Sequence, residues 1–274
     1  MPDPKRIAVV IPALNEALRI RDVVVAALAE CPNVIVVDDG SDDGTAACIA
    51  DLPVTLLRHS TRMGKGASLR DGFAEALRRG FEGVLSMDGD GQHCASDIPR
   101  LLDAARHHPG DIVIGARLRK RARQPGYRRL ANEFGDWGIA WGCGFRIADS
   151  QSGQRYYPAP VCALDDVPGE DFVFEAQILI SAARRLGVGV VSVPVESRYG
   201  IGADDAGSGG PAFRRSHFRP LHDLYRITSH VVAQVWRHGD VVAEYRRTRA
   251  HPPRIHDPDG IAGEIAAAAR GLSR

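Results

Sequence analysis

At 274 residues, with 44% hydrophobic and 25% charged side chains, the chain has the make-up of one large folded domain plus an appendage, which excludes a disordered or fibrous protein. A formal net charge of +1 gives no reason to expect nucleic acid as a partner. The five cysteines, at 31, 48, 94, 143 and 162, are scattered without any Cys-x-x-Cys spacing, which argues against a disulfide framework or a zinc site and for a reduced, cytoplasmic protein.

In chain order, short β-branched runs predict strands at Ile7 to Ile11, Val34 to Val37, Val54 to Leu57, Val84 to Met87, Asp111 to Ile114 and Val188 to Val195. They are too uniformly apolar for a sheet with one wet face. Helical patterns lie between them at Ala17 to Glu30, Asp42 to Asp51, Lys65 to Arg79 and Ser96 to His107. This alternation predicts an α/β fold, a mostly parallel sheet flanked by helices. Beyond Ile114 the order loosens. Arg117 to Arg129 reads as a basic loop, Arg128 to Trp141 as a helix, and Ala203 to Pro211 as a Gly- and Ser-rich loop. The chain divides into a catalytic-type domain over 1–212, a helical extension over 213–250, and a weakly ordered tail over 251–274 with a short helix at Ile261 to Ala269. No stretch reaches the ~20 apolar residues that span a bilayer, and Ile7 to Ile11 is too short for the core of a signal peptide. Any membrane contact is therefore expected to be peripheral. Arg219 to Arg249 has the composition of a membrane-surface helix and equally of a helix packed on the domain.

Ligands of open α/β sheets gather beyond the carboxyl ends of the strands. Three acidic loops fall there: Pro12 to Glu16, Asp38 to Ser41, and Asp88-Gly89-Asp90-Gly91-Gln92-His93. Within the third, Asp88, Asp90 and Gln92 stand at alternate positions, and in an extended segment such residues face one side. Two carboxylates and an amide oxygen are hard ligands suited to Mg²⁺ or Mn²⁺; His93 has no assigned part. Ser41 reads as a helix N-cap with Asp42 and Asp43 in the first turn. Asp38 and Asp39, being adjacent carboxylates, are expected to serve a ligand or cation. Lys65, one of three lysines, sits between Gly64 and Gly66 and suits a phosphate or the acidic loop. Arg117, ending the fifth strand, is the candidate for a phosphate contact.

Taken in order, Ile11 to Glu16, Val36 to Thr45, Gly64-Lys65-Gly66, Met87 to His93, Asp111 to Arg117, Asp149 to Arg155, Phe172 to Glu175 and Val193-Pro194-Val195 resemble the family 2 glycosyltransferases of GT-A fold. The subgroup most similar in these motifs is that of the dolichyl-phosphate mannosyltransferases and polyprenyl-phosphate glycosyltransferases. The resemblance, over roughly residues 6 to 200, implies inverting, metal-dependent transfer of a sugar from a nucleotide-diphosphate donor, UDP- or GDP-linked, to an acceptor. By motif, Pro12, Leu14, Glu16, Val37 and Asp39 would contact the nucleoside, with Asp39 on the base. Lys65, Asp88, Gly89, Asp90 and Arg198 would complete the donor site, with Arg215 an alternative to Arg198. Asp88, Asp90 and Gln92 would hold the Mg²⁺ or Mn²⁺, and Asp90 and Arg117 would be catalytic. Arg155 and Glu175 form either a buried pair or part of the acceptor side, and Gln151 is open. The subgroup implies a polyprenyl phosphate or other lipid-linked acceptor, and hence a place at the inner face of the cytoplasmic membrane. Such an acceptor is already anionic and needs no general base.

Two rival readings follow from the same residues. Asp88 and Asp90 fit a haloacid dehalogenase-type phosphatase superficially, but the motif follows the fourth strand and no downstream lysine and acidic pair accompanies it. A non-catalytic nucleotide-sugar-binding subunit would have no need of three metal-facing residues. A nucleotidyltransferase would want a glycine-rich basic loop after the first strand, which Pro12 to Glu16 is not.

Overall fold

A computed structural model describes residues 4–118, 136–165, 167, 172–195 and 241–260. Among them an eight-stranded sheet runs in the order β3-β2-β1-β4-β6-β5-β7-β8. Its strands are β1 (Ile7–Ala13), β2 (Val34–Asp38), β3 (Thr55–Arg58), β4 (Gly83–Ser86), β5 (Ile112–Ala116), β6 (Arg155–Pro158), β7 (Val190–Pro194) and β8 (Arg254–Ile255). Every pairing is parallel except those of β6, which runs antiparallel between β4 and β5. The mostly parallel, helix-flanked sheet predicted from the strand pattern is the one observed.

The apolar runs have a simple cause. Alternate residues of each central strand enter different cores: Ala8 and Val10 of β1 pack on one face with Ile35, Val37 and Val84. Ile7, Val9 and Ile11 pack on the other with Val34, Val36 and Leu85. With both faces covered, most strand positions are apolar, with buried polar exceptions such as Ser86, Arg155 and Ser192. Helix α1 (Ile20–Glu30) buries Ile20, Val23, Val24 and Ala27, and α3 (Ile98–His107) buries Ile98, Leu101, Leu102 and Ala105. These i, i+3, i+4, i+7 faces cover one side. Helices α2 (Lys65–Arg78) and α4 (Phe172–Leu186) cover the other. Helix α2 lies so close to β1 that a Cβ on Gly72 would sit 2.4 Å from Val10 Cγ1.

Several expectations are corrected. No α-helix forms over Asp42 to Asp51; a turn and a short 3₁₀ segment at Ala47–Ile49 stand there. Asp43 takes the backbone N–H of Ala17 and of Thr45 on its carboxylate, the local side-chain bonding that competes with helix formation. Helix α1 starts at Ile20 rather than Ala17, because Glu16 O accepts from both Arg19 and Ile20 N–H and closes the first turn. Strand β3 is an edge strand whose side chains alternate between half-buried and exposed. At the opposite edge, Arg254–Ile255, within the expected tail, pair in parallel with β7 as a short strand. Helix α5 (Val241–Ala250) belongs to the expected extension. The basic residues 119–129, the loop at 203–211, Arg198, Arg215, residues 213–240 and the helix expected at 261–269 lie outside the described residues. None of the described helices is long and apolar enough to cross a membrane.

Candidate active site

Strand order brings the acidic loops together. Strand β1 lies between β2 and β4, with Ala13 opposite Asp38 and Val10 opposite Ser86. The loops after β1, β2 and β4 therefore leave the same edge side by side. Asn15 knits the first two: its N–H donates to Ser41 Oγ, and its Oδ1 accepts from Asp42 N–H. Asn15 reaches this position at φ +56, a left-handed conformation that asparagine tolerates better than most residues. Ser41 is thus a tie between loops, not a helix cap. Glu16 N–H donates to Thr45 Oγ1. The third loop closes against the first, since a Cβ on Gly89 would lie 3.2 Å from Pro12 O.

The loop after β4 is a turn, not an extended segment. Asp90 Oδ1 accepts from Gln92 N–H at 3.0 Å, and Gly91 takes φ +76. Asp88 and Asp90 are both half-buried. Asp88 Oδ1 stands 2.7 Å from Lys65 Nζ and its Oδ2 3.1 Å from His93 Nε2. His93, unassigned from sequence, is therefore an Asp88 partner. Burial alone would raise the Asp88 pKa, but Lys65, and after it His93, outweigh burial and hold the carboxyl well below the usual range. For Asp90 burial raises the pKa, and the negative charge of Asp88 adds to that. One loop thus carries a well-compensated carboxylate beside an under-compensated one.

Lys65 opens helix α2 and bridges Asp88 to Glu175 Oε1, 3.2 Å away on α4. The side chain that the sequence offered to a phosphate or to the acidic loop is on the acidic loop. Gly153 sits behind it; a Cβ there would lie 2.6 Å from Asp88 Oδ2, so glycine leaves the room that the carboxylate occupies. The backbone around Gly153 is fixed by Arg155, which is 1% exposed. Its guanidinium donates to Ser152 O (2.6 Å), Ser150 O (2.8 Å) and Glu175 O (2.8 Å). The Glu175 carboxylate lies 3.9 Å from Arg155 and closer, at 3.2 Å, to Lys65, so the two residues are buried neighbours.

Three assignments meet a different geometry. Arg117 does end β5, but its guanidinium forks onto Asp149, with Nε 2.8 Å from Oδ2 and a second nitrogen 3.0 Å from Oδ1. Asp149 is fully buried. Arg117 is thereby a strut for the 149–154 loop. Val37 is fully buried in the core, so only its backbone faces the edge. Asp38 accepts from Ser41 N–H and faces Arg58 Nε at 3.2 Å, while Asp39 accepts from Met63 N–H (2.7 Å) and Gly64 N–H (2.8 Å). The paired carboxylates are compensated by the protein itself. Gly64 can present its N–H this way because it adopts φ 94, ψ 158, a region open essentially to glycine.

His59 completes this corner, with Nδ1 2.7 Å from Asp39 Oδ1 and Nε2 2.9 Å from Asp71 Oδ2. Burial would lower its pKa, but the two carboxylates outweigh burial and raise it. A raised folded-state value stabilises the protein fully below the unfolded histidine pKa of ~6.5 and loses that stabilisation as pH rises through the folded value. We expect His59→Gln to cost about 1.5–3 kcal/mol, the range for hydrogen bonds to charged groups, below about pH 6.5. The gap to the parent should narrow as pH rises. Urea melts across a pH series check this, and a gap that widens with pH contradicts it.

The chain matches the model of Glycosyl transferase family 2 over residues 8–164. It is 31% identical over 208 residues to undecaprenyl-phosphate mannosyltransferase of Micrococcus luteus, covering 69% of this chain and 82% of the relative. It is 32% identical over 209 residues to polyprenol monophosphomannose synthase of Mycolicibacterium smegmatis, covering 70% and 77%. Among solved structures, mannosyl-3-phosphoglycerate synthase of Rubrobacter xylanophilus superposes with TM-score 0.59 at 20% identity, over 88% of this chain and 75% of that one. Glucosyl-3-phosphoglycerate synthase of Mycobacterium tuberculosis, in complex with Mn²⁺, UDP and glucosyl-3-phosphoglycerate, superposes with TM-score 0.56 at 22% identity, over 85% and 79%. The strand order, the acidic edge and the family match agree: this chain is an enzyme of glycosyl transferase family 2, with a GT-A-like fold.

Proposed function

We propose that the enzyme transfers a sugar, with inversion, from a UDP- or GDP-linked donor to a polyprenyl phosphate or other lipid-linked acceptor, with Mg²⁺ or Mn²⁺ at the Asp88–Asp90 loop. The observation that carries this reading is the meeting of that loop with the β1 and β2 loops at one sheet edge, where Lys65 bridges Asp88 to Glu175. The donor set fits a hard cation. Asp90 Oδ1 accepts one backbone N–H and no described hydrogen bond reaches its Oδ2, whereas the two oxygens of Asp88 face Lys65 and His93, so Asp90 is the more open ligand. Asp88, Asp90 and Gln92 would hold the ion, which when bound neutralises the charge growing on the departing diphosphate.

The chain's own residues do the rest by preorganisation. Lys65 and His93 keep Asp88 ionised and oriented, and Gly153 leaves the space that this orientation needs. The strut Arg117–Asp149 and the buried Arg155 hold the 149–154 loop behind them. Glu175 and Asp39, the nearby carboxylates, are both engaged by the protein. An acceptor that is already anionic needs neither of them as a base. Both relatives named above are, by name, enzymes of polyprenyl-phosphate or polyprenol mannosylation, and the Mycobacterium tuberculosis structure carries Mn²⁺ with UDP. These support the acceptor class and the cation. The phosphatase and the non-catalytic readings have no comparable support.

The test is incubation of the full chain with polyprenyl phosphate and radiolabelled UDP- or GDP-sugars, with Mn²⁺ or with EDTA. Organic-extractable label that depends on the metal is expected with one donor. Label confined to the aqueous phase for every donor, with free sugar or a soluble glycoside as product, contradicts the lipid acceptor.

A further inference from the structure

Away from the sheet edge that carries the acidic loops, Asp103 and His107 stand one turn apart on α3, and His256 follows β8 in the chain. One imidazole nitrogen from each histidine and one carboxylate oxygen lie within 4.8 Å of one another. His256 Nε2 is 3.4 Å and His107 Nδ1 3.5 Å from Asp103 Oδ2. These separations are long for hydrogen bonds to a carboxylate, which are usually about 2.7–2.9 Å. They are close to the edges of a tetrahedron around an ion with ligand distances of about 2.0–2.1 Å, roughly 3.3–3.4 Å. The two imidazole rings also come close, with centroids 5.1 Å apart.

We infer that Asp103, His107 and His256 bind a borderline transition ion of the zinc class, which fastens the 251–260 segment to α3. Two imidazoles and a carboxylate favour such an ion over the Mg²⁺ suited to oxygen-only sites, so the site is distinct in chemistry from the Asp88–Asp90 loop. The surroundings allow it. The guanidinium of Arg254 is a nearby positive charge, and Asp111 compensates it at 2.7 Å. The same guanidinium also donates to His108 Nδ1 at 3.1 Å, which commits that nitrogen and leaves three protein ligands, with water for the fourth position. His107 and Asp103 have side chains 62% and 43% exposed, enough for an ion to enter from solvent. His107 Nδ1 now donates to the Asp103 carbonyl, a bond that ligation through this nitrogen exchanges for the metal. The segment is otherwise tied by the pairs Arg254–Asp111 and Arg100–Asp259 (3.1 Å), by Arg254 on His108, by Arg146 N–H on His251 O, and by two residues of strand pairing. A metal between α3 and His256 therefore adds a coordinate tie across a long loop of chain, from His107 to His256.

The experiment is zinc titration of the chelator-treated full chain in the Asp90→Asn background, which silences the acidic loop as a competing site. One zinc per chain is expected, undisturbed by excess Mg²⁺ and weakened at least tenfold by either His107→Gln or His256→Gln. Because His107 is mostly exposed, its variant keeps the fold, and equal melting curves in EDTA verify this. Trypsin cleavage after Arg249 and Arg254 should slow at least fivefold on adding Zn²⁺, and this protection should vanish in His107→Gln. Equal zinc affinity with and without His107, or cleavage indifferent to zinc, overturns the inference.

Discussion

Asp90→Asn is expected to lower sugar transfer on the order of a hundredfold or more, about 2.7 kcal/mol of transition-state stabilisation, while making the folded protein no less stable. The two effects share one cause. Burial and the neighbouring Asp88 both oppose the charge of Asp90, so its folded-state pKa is raised. A carboxyl with a raised pKa contributes its stability below the unfolded value and loses it as pH climbs through the folded one, so its ionisation works against the fold. The amide removes the charge and keeps the oxygen that accepts from Gln92 N–H. It also removes one of the two anions that would hold the cation. Steady-state transfer rates together with urea melts at neutral pH check both halves. Unchanged transfer sinks the metal assignment, and a clear loss of stability sinks the account of Asp90 as an uncompensated charge.

Arg155→Met should produce the largest loss of stability of any single change at the site, about 3–5 kcal/mol, the usual cost of removing one member of a buried charged network. The side chain is 1% exposed and donates to three backbone carbonyls from two separate segments, 150–152 and 175. Methionine fills much of the volume and leaves those carbonyls buried without donors. Arg155→Lys should rescue little, because a single ammonium cannot reproduce the planar fork that spans Ser150, Ser152 and Glu175. Transfer should fall in the fraction that remains folded, since the Gly153 backbone behind Asp88 and the Glu175 partner of Lys65 both depend on the same guanidinium. Urea denaturation with an unchanged slope isolates the effect on stability; a shift under 1 kcal/mol, the scale of an ordinary substitution, would show that other contacts hold the loop.

What made the central strands legible is that both of their faces are buried, so that Ile7 to Ile11 or Val34 to Val37 can be read from composition alone. Strand β6 and helix α4 did not announce themselves. The strand is four residues, Arg155 to Pro158, beginning with a charge, and it exists because β4 and β5 leave a gap that an antiparallel strand fills. Helix α4 is buried nearly all round, at Val173, Phe174, Ala176, Ile178, Leu179, Ile180 and Ala182, and so lacks the wet face that makes a helical period visible. The stretch Asp42 to Asp51 misled in the opposite way. Its Ser, Asp and Thr side chains bond the backbone locally, which looks in sequence like a helix start and in space is a turn.

For the site, the chain order of Asp88, Asp90, Lys65 and the two upstream acidic loops was enough to place them on one edge, because a parallel sheet puts every strand's carboxyl end on the same side. The partner of each group was decided only by tertiary contact. Nothing in the sequence distinguishes an arginine that meets a phosphate from Arg117, which is forked on Asp149 thirty-two residues away. Nor does it distinguish an aspartate awaiting a base from Asp39, held by the N–H groups of Met63 and Gly64. Residue type and periodicity determined which strands form, which edge collects the charge and which family the chain resembles. The close packing of distant segments determined which charges are already spent on one another and, among the described carboxylates, left Asp90 with its charge opposed by its surroundings.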